Sequence, residues 1–281
     1  MNNKYVVTQI MESGNPDGII RLKLSNWNGL CFKFPRKQLL KLKDYNEDIK
    51  DNPCLYFLLG EEEMKSVCYV GETDDASTRM LQHREDYWNE VLIFIGEKRN
   101  FSLNKAIVKY LENKAYIAAK KISNETCRYL IKNGNTPKSS PLSPEDKIRA
   151  DEFFEHIKYV CNVLGYKIFD SYINEKNHAT DEDLFFIHKG DIDAKGKLTD
   201  EGFVVLKGSK VAHTFTEKTT QCFKDSGKKL RDYGVIVNDV FTKDWLFGSP
   251  SGASVIVVGH NSNGRTEWKN KHGLTIKDLE E

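Results

Sequence analysis

Cys54-Leu55-Tyr56-Phe57-Leu58-Leu59 and Val67-Cys68-Tyr69-Val70-Gly71 are two short apolar runs on either side of the polar hexapeptide Gly60-Glu61-Glu62-Glu63-Met64-Lys65. Apolar runs of this length, bounded by polar residues, are typical of β-strands, and we predict a hairpin whose loop is residues 60–65. If Leu59 faces Ser66, then Tyr56 lies directly opposite Tyr69 on the same face of the hairpin. Both phenol hydroxyls would then reach one ligand.

A helix and a third strand follow the hairpin. Asp74 and Asp75 suit the N-cap of a helix that runs to Arg84. Arg79 and His83 are four residues apart on this helix and therefore share a face. Residues 90–95 have the composition of a strand.

A long amphipathic helix completes this part of the chain. Ser102 or Asn104 begins it, and an apolar stripe continues to Ile122. Glu112 flanks this stripe, so we expect its carboxylate to point into a cleft where the helix meets the sheet. Residues 51–135 are therefore predicted to form one domain with the element order β-β-α-β-α.

Five side chains of this domain match the needs of phosphodiester hydrolysis, namely Tyr56, Tyr69, Arg79, His83 and Glu112. A water must lose a proton, and negative charge on the phosphoryl and leaving oxygens must be stabilised. An arginine can bind two phosphate oxygens at once through its guanidinium. A carboxylate can hold a hydrated Mg²⁺, and a phenol or an imidazole can accept the proton of the water. Taken singly, each residue also has a structural interpretation, because strand tyrosines commonly pack on a sheet.

Together these residues resemble the GIY-YIG nuclease family, whose small catalytic domain has the same order of elements. Cys54-Leu55-Tyr56 stands where the family has Gly-Ile-Tyr and keeps only the tyrosine, whereas Tyr69-Val70-Gly71 differs from Tyr-Ile-Gly by one apolar exchange. Arg79 and Glu112 correspond to the arginine and the metal-binding glutamate of the family, and His83 occupies a position that carries His or Tyr. Glu72 stands where several relatives carry a basic residue.

The resemblance implies a role for each of these side chains in cutting DNA. Tyr56 would act as general base or position the water, and Tyr69 would orient the phosphate or the water. Arg79 would stabilise the charge of the transition state, and His83 would assist proton transfer or bind phosphate. Glu112 would hold Mg²⁺ or Mn²⁺. Nucleic-acid contacts are expected at Gly71, Lys105, Lys109, Asn133 and Asn135, the two asparagines being candidates for the late asparagine of the family.

Three further segments are predicted around this domain. Residues 1–50 form an N-terminal β appendage, with period-two alternation at 18–24 and a turn at Asn28-Gly29. Residues 136–170 form a Ser- and Pro-rich linker and a helix that ends near Gly165. Residues 171–281 form a smaller α+β domain that would target the substrate, so the fold class of the whole chain is α+β.

The C-terminal segment has a resemblance of its own. Residues 202–209, Ser249-Pro250-Ser251-Gly252-Ala253 and residues 263–268 look like an uncharacterised domain often fused behind GIY-YIG nucleases in bacteria. The same pattern is similar to the RAMA module of restriction-type proteins, which implies the reading of modified DNA. Residues 218–231 predict a basic helix that is either a solvated face or a DNA contact. Trp245 and Trp268 are expected in the core rather than as base-stacking platforms.

Composition limits the classes of partner and compartment. The chain has 281 residues, 39% hydrophobic and 30% charged residues, and a net charge of +1, so any field that attracts nucleic acid must be local. Residues 98–132 supply nine Lys or Arg against two Glu. Six scattered cysteines without zinc spacing, and no apolar stretch near the ~20 residues of a membrane span, predict a cytoplasmic protein with reduced thiols.

We therefore expect a metal-dependent endonuclease that hydrolyses DNA, with RNA left open as a substrate. A function in restriction or defence is implied by the resemblance alone. The alternative is a catalytically decayed nucleic-acid-binding or interaction module, consistent with the missing Gly-Ile of the first motif. The two hypotheses differ in whether the tyrosines, Arg79 and Glu112 line one cleft.

Overall fold

A computed structural model describes residues 5–62, 65–97, 103–126, 128–172 and 183–280. The chain divides into two compact units: Met1–Ser123 with Arg128–Phe169, and Asn124–Cys127 with Asp170–Glu281. The predicted α+β class is confirmed, since the first unit has a large mixed sheet and the second a smaller antiparallel one. None of the helices in the described ranges has the length and apolarity needed to cross a bilayer.

The first unit is built on a seven-stranded sheet. Its strands are β1 Val7–Met11, β2 Ile20–Leu24, β3 Gly29–Pro35, β4 Cys54–Glu62, β5 Lys65–Thr73, β6 Trp88–Gly96 and β7 Leu130–Ile131. They lie in the order β1-β2-β3-β6-β4-β5-β7, in which β5 and β7 run parallel and all other neighbours antiparallel. Because β3 pairs with β6 along its whole length, the N-terminal β appendage extends the same sheet as β4 and β5.

Helices cover both faces of this sheet. They are a 3₁₀ segment Arg36–Tyr45, α1 Asn46–Ile49, α2 Ala76–Gln82, α3 Lys105–Thr126 and α4 Pro144–Val163. Leu111 of α3 and Phe154 of α4 pack in one apolar core with Phe57 and Val70 of the hairpin. The 3₁₀ segment and α2 pack on the opposite face, where Tyr56 is buried.

The predicted hairpin forms, but its register and its loop were wrong. Leu58 faces Tyr69, and Tyr56 faces Gly71. The strands continue through the polar residues as far as the pair Glu62 and Lys65, so residues 60–62 and 65 are strand and not loop, while 63 and 64 lie outside the described residues. Charged side chains on a solvated strand end are compatible with β pairing, as in the facing pair Glu62 and Lys65, and the sequence pattern missed this. The shift is by two residues, so both tyrosines remain on one face.

The helix ends agree only in part with the predicted ones. Asp75 caps α2, because its carboxylate accepts hydrogen bonds from the amides of Ser77 and Thr78. This helix ends at Gln82, and His83 is its C-cap residue with an extended backbone. The prediction that the helix runs to Arg84 and that His83 shares a helical face with Arg79 was therefore wrong. Asn104 holds the start of α3 through the amide of Ile107. Ser102 lies outside the described residues.

Of the segment predicted as linker and helix, residues 136–169 all belong to the first unit, and the second unit resumes at Asp170. Ser143 caps α4 through the amide of Asp146, with Pro144 at the first helical position. Phe153 and Ile157 on this helix are buried in the core shared with α3. The helix is therefore a structural layer of the first unit.

The second unit carries a five-stranded sheet and a two-stranded ribbon. Its elements are β8 Leu184–Lys189, β9 Ile192–Thr199, β10 Gly202–Val205, α5 Gln221–Asp232, β11 Ile236–Val237, β12 Val240–Phe241, β13 Trp245–Phe247, α6 Pro250–Val258, α7 Gly264–Glu267, β14 Lys269–Asn270 and α8 Ile276–Glu280. The sheet order is β13-β10-β9-β8-β14. Residues 173–182, at the start of the predicted C-terminal domain, lie outside the described residues.

Helix α6 is capped at both ends, and the expected core position of Trp268 is confirmed. Ser249 caps α6 through the amide of Gly252, and Gly259 ends it with φ 74°. A left-handed residue at this position favours glycine. Trp268 is fully buried, and its indole N–H donates to the Pro250 carbonyl at 3.1 Å. Trp245 is half-buried.

Candidate functional site

The first part of the candidate site is a pair of tyrosines on β4 and β5. Tyr56 faces Gly71, so Tyr69 is its diagonal neighbour on the adjacent strand. The ring centroids of Tyr56 and Tyr69 lie 6.2 Å apart, with 30° between the ring planes. A Cβ on Gly71 would lie 2.4 Å from Cζ and from the hydroxyl oxygen of Tyr56. The glycine of the second motif is thus required by the tyrosine of the first.

Arg79 and His83 meet at the hydroxyl of Tyr56. Nε of Arg79 donates to this oxygen at 3.2 Å, and Nε2 of His83 lies 2.9 Å from it. Arg79 also forms a hydrogen bond with Tyr69, and its contacts with the two phenols raise its pKa. The structure therefore brings four of the five predicted catalytic residues into one cluster, which we call the phenol cluster: Tyr56, Tyr69, Arg79 and His83.

The hydrogen bonds of the phenol cluster have one consistent direction. A guanidinium can only donate, so the single proton of the Tyr56 hydroxyl is left for Nε2 of His83. Burial and the nearby charge of Arg79 lower the pKa of His83, which favours the neutral ring with Nε2 as acceptor. Its Nδ1–H then donates to Oε2 of Glu85 at 3.3 Å.

Glu85 and Arg36 are members of this arrangement that sequence reasoning missed. Glu85 lies two residues after His83 in a turn, and no motif points to it. Arg36 donates to the carbonyls of Glu85 and Trp88 at 2.6 and 3.1 Å, and its guanidinium lies 4.4 Å from the centroid of the Trp88 ring. It thereby fixes the turn that carries Glu85.

Exposure differs sharply within the phenol cluster. Tyr56 is 0% exposed and His83 7% exposed, whereas Tyr69 and Arg79 are half-buried. Burial is also the main reason that the pKa of Tyr56 is raised. A substrate on this face would therefore contact Tyr69 and Arg79, with Tyr56 and His83 behind them.

Glu112 lies across the edge of β5 from the phenol cluster. Its helix packs on the opposite face of the sheet, with Leu111 and Ala115 in the core beside Val70. The half-buried carboxylate accepts a hydrogen bond from the amide of Glu72, the residue after Gly71. Burial and the charge of Glu72 raise the pKa of Glu112 to about 7.

Asn133 forms hydrogen bonds with the backbone at the same edge of β5. Its side chain accepts from the amide of Val70 at 3.0 Å and donates to the carbonyl of Val70 at 2.7 Å. The amide of Lys132 donates to the carbonyl of Cys68 one step further along. The predicted nucleic-acid contact Asn133 thus extends the sheet and ends beside the strand position that Glu112 binds.

The carboxylates at this edge fit a hard divalent cation in their chemistry. Glu112 and Glu72 are oxygen donors of like charge, and both are largely shielded from solvent. Among the described residues no group of three His, Cys, Asp or Glu side chains has a metal-binding arrangement. Mg²⁺ tolerates this, because it keeps several waters and needs one or two carboxylates.

The lysines predicted to contact nucleic acid lie beside carboxylates of their own unit. Lys105 pairs with Glu72 at 2.7 Å and with Asp74 at 3.0 Å, and Lys109 lies near Glu112. Elsewhere in the region 98–132, Lys114 pairs with Asp151 and Lys132 with Glu62. The excess of positive charge counted along the sequence is therefore reduced by acids from other segments. Asn135 is exposed, and Lys98 and Arg99 lie outside the described residues.

Comparison with known proteins found a similar family for the second unit only. A family model described as a domain of unknown function, DUF4357, matches residues 185–280. This is what the C-terminal unit is similar to, and the expected resemblance to an uncharacterised domain is confirmed to that extent. No match to the GIY-YIG nuclease family was found, and no curated protein and no solved structure is significantly similar to the chain.

Proposed function

We propose that the first unit is a metal-dependent endonuclease of the GIY-YIG type that hydrolyses phosphodiester bonds of DNA. The observation that carries the proposal is the convergence of Arg79 and His83 on the hydroxyl of Tyr56, beside Tyr69 and over Gly71. These are residues separated along the chain whose types the chemistry needs. A simple sheet-packing role for Tyr56 does not require both a guanidinium and an imidazole.

The proton path follows from the hydrogen-bond directions. In our proposal Tyr69 contacts the attacking water or the phosphate, because it is the phenol with exposed surface. The hydroxyl of Tyr56 takes up the proton that the water loses as it gives its own proton to Nε2 of His83, and Glu85 stabilises the imidazolium that forms. Tyr56 is thus an internal link between substrate-facing and buried groups.

Charge on the phosphate is stabilised by Arg79 and at the edge of β5. Arg79 is half-buried, and a guanidinium in such a place binds phosphate oxygens more strongly than in free solution. Glu112, with Glu72 beside it, would hold Mg²⁺ or Mn²⁺, which when bound polarises the phosphate and the leaving oxygen. The two glutamates would supply the oxygen ligands for this ion.

The alternative function is a nucleic-acid-binding or interaction module without catalysis. Two observations favour it: Glu112 is anchored on a helix of the opposite sheet face, and Tyr56 is closed to solvent. In that case the phenol cluster would be a buried polar network that stabilises the hairpin against α2. The two functions are separated by assay.

The test is cleavage of plasmid and of modified and unmodified linear DNA by the full chain with Mg²⁺ or Mn²⁺. We expect Glu112→Gln and Arg79→Ala each to lower the cleavage rate by at least about 100-fold. Glu61→Gln and Arg149→Ala are matched controls, because both side chains are exposed on the same unit. Cleavage that survives both site substitutions contradicts the site, and the absence of cleavage on every substrate supports the alternative.

A further inference from the structure

The outward face of the second unit's sheet carries two aromatic rings. Along β8, Phe185 and Ile187 point into the core, so Phe186 and His188 point to the other face. The rings of Phe186 and His188 stack with centroids 5.7 Å apart and 14° between their planes. Nδ1 of His188 lies 2.9 Å from a carboxylate oxygen of Asp193, which holds the ring in place.

Strand pairing puts lysines on both sides of these rings. Phe186 faces Lys269 of β14 on one side and Lys195 of β9 on the other. One step along, Leu184 faces Lys197 of β9, whose ammonium pairs with Asp183 at 3.5 Å. The aromatic pair is thus bordered by ammonium groups on neighbouring strands of the same face.

An open cleft of about 520 Å³ lies against this pair. Three lysines line it, Lys189, Lys269 and Lys271, and Glu267 is the acid among the lining residues. Glu267 forms an ion pair with Lys189. Lys195 and Lys269 are both exposed, so a chain whose net charge is only +1 presents positive charge beside the aromatic pair.

We propose that this face binds single-stranded nucleic acid. Bases stack on Phe186 and His188, and the phosphates pass Lys195 and Lys269. An aromatic platform between cations is the arrangement that single strands need, because every base has a π-face and every linkage carries a negative charge. A duplex keeps its bases stacked on each other and offers them to this platform only after they have been unstacked.

The basic helix α5 is the competing surface for nucleic acid in the same unit. Two of its cations serve the unit itself: Lys224 donates to the carbonyl of Glu217, and Arg231 pairs with Asp239 and donates to the carbonyl of Ala212. Lys228 and Lys229 are exposed. The double substitution Lys228→Gln/Lys229→Gln therefore removes the same charge as a pair on the sheet face and is the matched control.

The experiment measures binding of fluorescein-labelled oligo(dT) to the full chain by anisotropy, in EDTA and over a range of salt. We expect Lys195→Gln/Lys269→Gln to weaken binding and to reduce the slope of log Kd against log salt by about 1.4. Phe186→Leu, which keeps an apolar side chain of similar volume, weakens binding by about tenfold. The α5 pair leaves both quantities unchanged, and circular dichroism confirms that all variants are folded.

Several outcomes would overturn this proposal. They are the absence of salt-dependent binding, loss through the α5 pair and not the sheet pair, preference for a matched duplex, and competition by poly-glutamate equal to that of oligo(dT) per charge. Because EDTA removes divalent metal from the binding assay, its result does not depend on whether the chain cleaves DNA. The anisotropy and cleavage assays therefore distinguish a chain that binds single strands without cutting DNA from one that cuts DNA without binding at this face.

Discussion

His83 is contacted at both of its ring nitrogens, and this decides what the imidazole can do. Tyr56 occupies Nε2 and Glu85 lies at Nδ1, so a proton accepted from the phenol is stabilised by a carboxylate. We expect Glu85→Gln to slow DNA cleavage by at least about tenfold while DNA affinity is unchanged. Because Glu85 raises the pKa of His83, its loss also moves the acidic limb of the pH–rate profile to lower pH.

The control for this prediction is Asp86→Asn, which changes an exposed carboxylate one residue away. It should alter neither the rate nor the position of the limb. A Glu85→Gln enzyme with wild-type rate and an unmoved limb would show that the His83–Glu85 contact is structural only.

Glu112 also makes the stability of the first unit depend on pH. Its pKa is raised from 4.5 to about 7, so between these values the folded chain binds more protons than the unfolded chain, and stability falls as pH rises. Glu112→Gln removes this loss. We expect the thermal midpoint of the variant to exceed that of wild type by about 2–4 °C at pH 8 and to match it below about pH 4, after allowance for solvent screening.

Thermal unfolding at about pH 4 and pH 8 in EDTA measures this difference. Glu61→Gln, an exposed carboxylate of the same sheet, should show no pH-dependent gain. A Glu112→Gln variant that is less stable than wild type at pH 8 would mean that the carboxylate is held charged by its surroundings.

At the scale of the element, the outer edge of β5 organises the site. Asn133 satisfies the amide and the carbonyl of Val70, and Glu112 accepts from the amide of Glu72 on the same edge. We expect Asn133→Ala to lower the free energy of unfolding by about 1–3 kcal/mol, because it leaves two strand groups without this partner. Asn135→Ala, at an exposed position, is the control, and urea unfolding is the measurement.

Equal effects of the two asparagine substitutions would contradict this account of the edge. If Asn133→Ala also slows cleavage while the Asn135 variant does not, the edge positions Glu112 as well as stabilising the strand. This second readout separates positioning from stability alone.

Much of the element layout was predictable from the sequence, because local signals set it. Asp75 and Asn104 hold helix starts where their residue types predicted them, and Ser143 and Ser249 are of the residue type that favours an N-cap. The hairpin register was not, because Glu61 and Glu62 carry no apolar signal and still pair in the sheet. Nor was the contact of His83 with Glu85, since it depends on how Arg36 holds the following turn.

At the scale of the molecule, each unit has its own apolar core, and each carries a separate proposed task. The first unit has an apolar core on each face of its sheet, one beneath α3 and α4 and one beneath the 3₁₀ segment and α2, while the core of the second unit surrounds Phe203 and Trp268. The first unit holds the groups proposed for hydrolysis, and the second presents the face proposed for single strands. Charge counted along the sequence did not locate either surface, because ion pairs such as that of Lys114 with Asp151 join distant segments.

The central claim is that the phenol cluster and Glu112 act as one site across β5. The most direct test is the single-turnover rate of DNA cleavage for Arg79→Ala, Glu112→Gln and the double variant. Groups that act as a unit are strongly non-additive, so we predict a double variant about as slow as the slower single one. Losses that multiply, or a Glu112→Gln rate equal to wild type, would contradict the claim.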